Sequence, residues 1–360
     1  MRFCRVNFEV AFISEQGMGE IEVRMADEIR QAPEAVRGQQ NGLTQPLAEL
    51  AARLKRRPPQ VVVTCARGSS AHAATFGKHV IERYIGLPVA AAAPNIASVY
   101  RQRLHLRDQL FLAISQSGRS DDLVELTISA RASGALTVAM VNATDGPLAS
   151  ACDILLPIGA GPELSVAATK TFVATLSALL RLIASWTDDG RLKGPIERLP
   201  DRLAAASTLD WSAALSAFTD TMSLITIGRG PTLAIAREAS LKLKETCNLH
   251  AEAFSGAEFR HGPMALVSSR YPILMFMPTD AAAEGMRQLA ADLRHKGTAL
   301  FIAEPGAAAA GRLPVLASDH SETDAVCLVQ SFYVMSILLA KRLGTDVDNP
   351  RHLQKITRTR

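Results

Sequence analysis

Short apolar runs alternate with helix-spaced segments along most of the chain. Residues 60–65 (QVVVTC) form a β-branched run that ends at a glycine–serine turn, and the apolar positions of the following AHAATFGKHVIERYI have helical spacing. The same order recurs at residues 224–227 (LITI), where a Gly-Arg-Gly turn leads into PTLAIAREASLKLKE. The pattern predicts a strand–turn–helix unit that is repeated at long range.

Each half of the chain continues this alternation. In the first half, QLFLAISQSG indicates a buried strand, DDLVELTISARASG a helix and ALTVAMVNAT a further strand. In the second half, YPILMFMP, a helix around AEGMRQLAADLRHKG and TALFIAEP repeat the order. Strands that alternate with helices are typical of parallel, doubly wound sheets. We therefore predict an α/β fold of two tandem units, each a parallel doubly wound α/β/α sandwich.

The boundaries of these units follow from changes in composition. We expect an N-terminal extension at residues 1–24, a first unit at 25–190, a second unit at 200–342 and a polar C-terminal tail at 343–360. The stretch 187–200 (TDDGRLKGPIERLP) is rich in turn residues and charge, so we expect it to connect the two units.

Composition narrows the class of protein. The 360 residues are 48% hydrophobic and 21% charged, which excludes disorder as the main state. The net charge of +4 and the 5% aromatic content argue against a nucleic-acid partner. The five cysteines are scattered without CxxC spacing, which indicates a reducing, cytoplasmic location and no disulfide framework or zinc site. Every apolar run is shorter than a membrane span, and we expect neither a signal peptide nor a membrane partner.

A hydroxyl-rich turn follows the strand FLAI. Ser115, Gln116, Ser117 and Ser120 surround Gly118 where the next helix is predicted to begin. In an open parallel sheet, ligands bind beyond the carboxyl ends of the strands, where unpaired N–H groups of the following helix favour anions. The turn suits a phosphate group. The alternative is an ordinary helix start that is capped by Ser120.

Two further turns of small residues can converge with this one. Ser69 and Ser70 follow the first strand, and Val166, Ala167 and the next residues precede a long apolar helix. Neither GxGxxG nor GxxxxGK[ST] occurs at these turns, which disfavours a dinucleotide or a P-loop nucleotide. A phosphorylated small molecule fits the three turns better.

The second half contains a cluster of ionisable residues. Glu238, Lys242 and Glu245 lie on one face of a predicted helix. Such charges are often a solvated surface, but the apolar neighbours of Glu245 and the nearby turn at His261 favour acid–base chemistry for this carboxylate. His250 is equally compatible with a core position. The spacing of His and Glu lacks HExxH, so acid–base chemistry is favoured over a metal site.

Five motifs together carry a family resemblance: SQSGRSDD, ELSVAATKTF, EASLKLKE, AEFRHGP and GTDVDNPRHLQK. The chain resembles proteins with tandem sugar isomerase (SIS) domains. It is similar to the isomerase half of glucosamine-6-phosphate synthase and closer still to stand-alone glucosamine-6-phosphate deaminases. A glutaminase domain is not expected here, since residue 2 is Arg2 and the first strand begins near residue 60. The resemblance therefore implies hydrolysis of glucosamine 6-phosphate to fructose 6-phosphate and ammonia.

The resemblance also implies site residues. A phosphate cradle and its surroundings fall on Ser115, Gln116, Ser117, Ser120, Ser69, Ser70, Val166 and Ala167. The catalytic set falls on Glu245, His261, Lys355, Glu238 and Lys242. In that scheme Glu245 moves a proton between C1 and C2, and Lys355 of the tail contacts the open-chain sugar. His261 opens the ring in the neighbouring subunit of a homodimer, and Glu238 and Lys242 support the base. No metal or organic cofactor is implied.

Two departures from the synthase-like pattern leave the substrate open. Ala168 stands where that pattern has serine, and Arg119-Ser120 stands where it has an acidic residue and threonine. Other candidates are therefore a related phosphosugar isomerase, or a deaminase or deglycase for galactosamine 6-phosphate or a fructosamine phosphate. A non-catalytic sugar-phosphate sensor is a further alternative, although the presence of Glu245, His261 and Lys355 together argues against it.

Overall fold

The computed structural model describes residues 23–268 and 271–355. The predicted extension at 1–24 therefore lies almost wholly outside the described residues, as do the last five positions of the tail. Helix α1 begins at Arg24, one residue before the predicted start of the first unit.

The helices and strands alternate in both halves. The helices are α1 (Arg24–Gly38), α2 (Gln40–Arg56), α3 (Gly68–Ile85), α4 (Asn95–Ser98), α5 (Asp121–Ala132), α6 (Pro147–Ala151), α7 (Lys170–Thr187), α8 (Gly190–Ala206), α9 (Leu215–Thr219), α10 (Pro231–Cys247), α11 (Ala283–His295) and α12 (Ser321–Leu343). The strands are β1 (Val62–Cys65), β2 (Val89–Ala91), β3 (Leu110–Ser115), β4 (Leu136–Val141), β5 (Ile154–Pro157), β6 (Ser223–Gly228), β7 (His250–Ser255), β8 (Ile273–Phe276), β9 (Leu300–Ala303) and β10 (Arg312–Leu313).

The strands form two parallel five-stranded sheets. Their orders are β2-β1-β3-β4-β5 and β10-β9-β8-β6-β7. Every residue of β3 and of β8 is buried, as expected for strands that helices cover on both faces. Val62 lies opposite Leu110, and Ile225 lies opposite Ile273. The paired residues of the central strands are therefore equally far apart along the chain in both sheets. The predicted fold of two doubly wound α/β units is confirmed.

Long apolar helices join the two sheets. Helix α12 is long and apolar enough to cross a membrane by length and composition, but 94% of its most apolar window is buried inside the fold. Phe332 and Tyr333 on this helix are fully buried. We conclude that α12 is a core helix, and it packs against α10, which in turn packs against α3 of the first half. Helix α10 therefore lies between the two halves.

The connection between the halves differs from the expectation. Residues 187–200 were expected to connect the units because of their turn residues, yet most of this stretch belongs to helix α8. Asp189 caps the helix by accepting a hydrogen bond from the N–H of Arg191 at 2.9 Å. Leu192, Ile196 and Leu199 follow at helical spacing and are buried. The burial of this apolar stripe outweighs the local turn composition.

Candidate active site

A cavity of about 410 Å³ opens at the carboxyl edge of the first sheet. It lies beside β1 and β3, between which the strand order reverses, and such points are where open α/β sheets bind ligands. The predicted site residues that line it are Ser69, Ser70, Ser115, Gln116, Ser117, Ser120, Val166, Glu245 and Lys355. The three turns, helix α10 and the C-terminal tail therefore meet at one cavity.

The turn after β3 has the form of an anion cradle. The N–H of Gly118 donates to the Ser115 hydroxyl at 3.0 Å, and Gly118 has a φ of +63°. A Cβ at this position would lie 3.3 Å from the carbonyl oxygen of Ala143, so glycine suits both the backbone angle and the space. Ser120 is the N-cap of α5 but makes no side-chain cap hydrogen bond. Ser120 therefore occupies the N-cap position of α5, but its hydroxyl does not cap the helix.

Helix α10 carries a row of three charged side chains next to the cavity, Glu238, Lys242 and Glu245, which we call the ion ladder. Glu238 and Lys242 are fully buried and do not line the cavity, whereas Glu245 does. The Lys242 ammonium lies 3.3 Å from a Glu238 carboxylate oxygen and also donates to Glu245. Ser69 links the ladder to the cavity wall, because its hydroxyl donates to Glu238 at 3.0 Å and accepts from Lys242 at 3.1 Å. Glu238 and Lys242 are thus placed to support Glu245 from inside the protein.

The opposite charges of Glu238 and Lys242 keep both of these buried side chains ionised. Burial acts to raise the pKa of Glu238, but the Lys242 ammonium and His72 outweigh it and lower that pKa to about 2. Burial acts to lower the pKa of Lys242, but the carboxylates of Glu238 and Glu245 outweigh it and raise that pKa. Lys242 therefore remains a cation and cannot serve as a base near neutral pH.

Two partners of Glu238 were not identified from the sequence. The Nδ1 atom of His72 lies 2.9 Å from one carboxylate oxygen, and the Tyr333 hydroxyl donates to the other at 3.1 Å. Burial, followed by the Glu238 charge, raises the pKa of Tyr333, which keeps this donor protonated. A lone tyrosine in the apolar run of α12 was the available signal. The buried carboxylate is thus satisfied by four side chains.

The C-terminal tail returns to the start of α1. Asp348 accepts hydrogen bonds from the backbone N–H groups of Arg24 at 2.9 Å and Met25 at 3.0 Å, and from the Ser165 hydroxyl at 3.2 Å. This anchor leads the chain to Lys355, whose ammonium donates to the Ser165 carbonyl oxygen. Burial lowers the pKa of Lys355. The tail thereby brings a cation to the cavity wall.

Arg67 is a cavity residue that the sequence analysis did not single out. Its guanidinium donates to Asp122 at 2.8 Å through Nε and again through Nη2. The Asp122 side chain is only 2% exposed, while that of Arg67 is 43% exposed. An arginine at the start of α3 and an acidic residue in the first turn of α5 were the available signals. The pair brings a guanidinium next to the cradle.

Four residues of the predicted site do not line the cavity. Ala167 is fully buried and does not line the cavity, because the chain here presents Val166 and Ala168 to it and turns Ala167 into the protein. Glu238 and Lys242 lie behind the cavity wall, as described above. His261 ends a short 3₁₀ turn, is exposed, and faces a separate surface cavity with Arg229 and Arg260. Within one chain, the site thus lacks the predicted ring-opening group.

Two further open questions are answered by the geometry. Arg119 pairs with Asp145 at 2.9 Å on an exposed surface and does not line the cavity. His250 is exposed at the start of β7, where its Nδ1 lies 3.0 Å from the Ser223 hydroxyl, so the core position considered for it is wrong.

Several known proteins are similar to this chain. Glutamine–fructose-6-phosphate aminotransferase [isomerizing] of Symbiobacterium thermophilum is 32% identical over an alignment of 361 positions that covers 92% of this chain and 58% of that protein. The chain thus spans less than two thirds of the length of this relative. The C-terminal domain of glucosamine-fructose-6-phosphate aminotransferase from Francisella tularensis superposes with a TM-score of 0.80 and 25% identity, over 92% of this chain and 99% of that one.

A second solved structure is more similar in sequence. It is a "putative phosphosugar isomerase" from Silicibacter pomeroyi DSS-3, with 44% identity and a TM-score of 0.86 over 90% of this chain and 99% of that one. The SIS domain family matches residues 56–185 and 217–339, which include the central strands of both sheets. The chain therefore belongs to the SIS domain family and carries two SIS domains in tandem.

Proposed function

We propose that this protein is an isomerase-type enzyme of phosphosugars and, more specifically, a glucosamine-6-phosphate deaminase. The reaction is glucosamine 6-phosphate plus water to fructose 6-phosphate plus ammonia. The observation that carries the proposal is the position of Glu245, a carboxylate that lines the same cavity as the hydroxyl-rich turn at the N-terminus of α5. One ligand can then meet an anion cradle and a base at once.

The cradle binds the phosphate end of the substrate. The hydroxyls of Ser115, Ser117 and Ser120 and the first N–H groups of α5 are hydrogen-bond donors. The Arg67 guanidinium adds positive charge, because Asp122 engages only part of its five N–H groups. A sugar phosphate is thereby held with its carbon chain inside the cavity.

Glu245 moves the proton in the open-chain sugar. It takes the proton from C2 and returns it to C1, while the amine nitrogen loses one proton and O1 gains one, which converts the C1 aldehyde to an alcohol and the C2 amine to an imine. Water adds to the imine, ammonia leaves, and the C2 ketone of fructose 6-phosphate remains. Lys242 donates a hydrogen bond to Glu245, and Lys355 lines the same cavity, from which its ammonium would donate to the oxygen on which charge develops.

The names of the relatives support this pair of sugars. The aminotransferases that resemble the chain are named for fructose 6-phosphate, and the C-terminal domain of one of them superposes on most of the chain. Deamination of glucosamine 6-phosphate yields that same ketose. The missing hydroxyl at Ala168 favours a second candidate, the same reaction on the galacto epimer, since sugar recognition depends on individual hydroxyl contacts.

We infer that a second copy of the chain supplies His261, because this histidine does not line the cavity of its own chain. Glu245→Gln and His261→Asn proteins should each be inactive alone. When they are unfolded together and refolded, mixed dimers would regain one intact site, and about a quarter of wild-type activity is expected. A mixture that stays inactive while mixed dimers form contradicts the shared site.

The first experiment measures ammonia release together with fructose 6-phosphate. Glucosamine 6-phosphate, galactosamine 6-phosphate, a fructosamine phosphate and glucose 6-phosphate serve as substrates. Both products from the gluco amine are expected. Faster turnover of the galacto epimer or of the fructosamine phosphate would mean that this compound is the substrate instead of glucosamine 6-phosphate. Ketose without ammonia from glucose 6-phosphate would indicate a plain isomerase. Saturable binding without any product would indicate a sensor.

A further inference from the structure

Thr171, in the first turn of α7, has a hydroxyl group without a partner. The residue is only 3% exposed, and within the described part of the chain no hydrogen bond to its Oγ1 is found. Thr171 also lines the cavity that holds Glu245 and the cradle. Leaving a buried hydroxyl unpaired costs free energy, so a ligand in the cavity that forms a hydrogen bond with this group would recover that cost.

Other helical threonines in the chain do not share this condition. Thr175, Thr187 and Thr246 each donate to the carbonyl oxygen four residues earlier, at 2.6 to 2.8 Å. The hydroxyls of Ser98, Thr169 and Ser177 are also buried without a partner, but these residues do not line the cavity. Thr171 therefore combines two features, an unpaired hydroxyl and a position in the cavity wall.

The backbone around Thr171 is fixed by a buried carboxylate. Glu163 accepts hydrogen bonds from the N–H groups of Thr169 at 3.0 Å and Thr171 at 3.1 Å. An acidic side chain at a helix N-terminus is also favoured by the helix dipole. The hydroxyl of Thr171 is thus presented from a rigid helix start, and a contact with a ligand would cost little additional ordering.

Ala168 lines the cavity three residues earlier, in the turn before α7, and presents only a methyl group. The synthase-like pattern has a serine at this position. We propose that Thr171 supplies a hydroxyl that Ala168 lacks and binds a hydroxyl group of the sugar, which makes it a specificity-determining residue. This inference rests on the proposed function. A threonine hydroxyl both donates and accepts, as a sugar hydroxyl does, whereas a phosphate dianion only accepts and already faces the donors of the cradle.

The test compares three variants in a Glu245→Gln background, which prevents turnover. Thr171→Val removes the hydroxyl and keeps the shape, Thr171→Ser keeps the hydroxyl, and Ala168→Ser with Thr171→Val moves the hydroxyl back to position 168. Calorimetry measures the Kd of glucosamine 6-phosphate and, separately, of inorganic phosphate. Thr171→Val should weaken sugar-phosphate binding about fivefold to tenfold. It should leave phosphate binding unchanged.

The other two variants and the thermal stability sharpen the test. Thr171→Ser should stay within about twofold of the parent, and the double variant should regain most of the lost affinity. The Tm of Thr171→Val should be unchanged or higher, because the variant removes an unpaired buried polar group. A purely structural threonine would instead lower the Tm.

Three results would overturn the inference. They are an unchanged Kd for glucosamine 6-phosphate in Thr171→Val, an equal loss of inorganic phosphate binding, and a lower Tm without a change in affinity. Failure of the proposed function has a different signature, because the protein with Glu245 and Thr171 both intact would then release no ammonia from glucosamine 6-phosphate, while the effect of Thr171→Val on phosphosugar affinity is measured independently of turnover.

Discussion

The two sheets can be compared at the same point, where the strand order reverses. This point lies between β1 and β3 in the first sheet and between β6 and β8 in the second. Equivalent residues of the two regions are separated by the same number of residues along the chain. This constant spacing pairs Gly68 with Gly230 at the starts of α3 and α10, and Ser120 with Ala282 at the N-caps of α5 and α11. The same order of strand, turn and helix therefore surrounds both points.

The contents of the two points differ. The first holds an open cavity lined by serine hydroxyls and Glu245. The second is occupied by ion pairs: Arg83 donates to Asp280 at 2.6 Å and to the fully buried Glu322 at 2.7 Å, and the His320 Nδ1 lies 3.0 Å from Glu322. Burial acts to raise the pKa of Glu322, but His320, His79 and Arg83 outweigh it and lower that pKa.

The difference arises because each half contributes one helix to the reversal point of the other half. At the constant spacing, Arg83 of α3 occupies the position that Glu245 occupies in α10. Helix α10 of the second half carries a carboxylate to the first cavity, and α3 of the first half carries a guanidinium to the second point. Helix α10 thus brings Glu245 to the cavity, whereas α3 brings Arg83 into ion pairs that link the two halves. A repeated backbone therefore does not imply repeated chemistry.

The largest expected effect comes from replacing Glu245 with glutamine, compared with the same replacement of its counterpart Arg83. Glu245→Gln should lower ammonia release about a thousandfold, since it removes the base, while phosphosugar binding survives. Arg83→Gln should leave turnover within about twofold, since Arg83 does not line the cavity. Steady-state kinetics and calorimetry of both variants measure this. An equal loss of turnover in both would mean that the comparison is wrong.

The next effect is on stability at the second point. Glu322→Gln removes a buried charge that Arg83 and two histidines face, and the free energy of unfolding should fall by about 3 kcal/mol at pH 7. Exposed Glu284 on α11 offers a matched control, and Glu284→Gln should change that free energy by less than about 0.5 kcal/mol. Urea denaturation measures both variants.

The effect of Glu322 should also depend on pH. Because the folded pKa of this carboxyl is lowered, its stabilisation is complete above the unfolded pKa of about 4.3 and is lost as the pH falls toward the folded value. The gap in unfolding free energy between the parent and Glu322→Gln should therefore be constant from pH 7 to pH 5 and narrow below pH 4. A gap that widens in acid would contradict this assignment.

A smaller effect is expected for the arginines that precede α3 and α10. Arg67→Met removes the ion pair between Arg67 and the buried Asp122, and the free energy of unfolding should fall by about 2 kcal/mol. Phosphosugar affinity should also fall, since a charge next to the cradle is lost. Its counterpart Arg229 is exposed, and Arg229→Met should change stability by less than about 0.5 kcal/mol. Similar losses of stability in both variants would count against the difference between the two points.

The smallest effect is expected at the two N-caps. Ser120→Ala should change the free energy of unfolding by less than about 0.5 kcal/mol, because the hydroxyl makes no cap hydrogen bond. It should weaken phosphosugar binding about fivefold through the loss of one donor. Ala282→Ser in the second half is the control and should leave the affinity unchanged. A large loss of stability with intact affinity would make Ser120 a helix cap after all.

The sequence predicted the parts of the molecule that depend on local pattern. Alternating apolar runs and helix-spaced segments predicted the parallel sheets, because each strand and helix carries its own periodicity. The prediction of a turn-rich connection at 187–200 overlooked α8, where buried Leu192 and Ile196 determine the structure more strongly than the neighbouring glycines and prolines. Local composition was a weaker signal there than spacing.

The candidate site was predictable where one segment supplied the whole signal. The turn from Ser115 to Ser120 is such a case, since hydroxyls, glycine and helix start are adjacent in sequence. The partners of Glu238 were not predictable in this way, because His72 and Tyr333 come from distant helices and meet only through the packing of α3, α10 and α12. The orientation of Ala167 likewise depends on how its turn is packed.

The anchor formed by Asp348 has a consequence for the order in which the protein is made. Both sheets and α12 precede this residue in the chain, so they emerge from the ribosome before the anchor and before Lys355. Every strand of both sheets is therefore synthesised before the residues that cap α1 and close one wall of the cavity. Cleavage between α12 and Asp348 would remove that cap and that wall while all the strands stay in the chain.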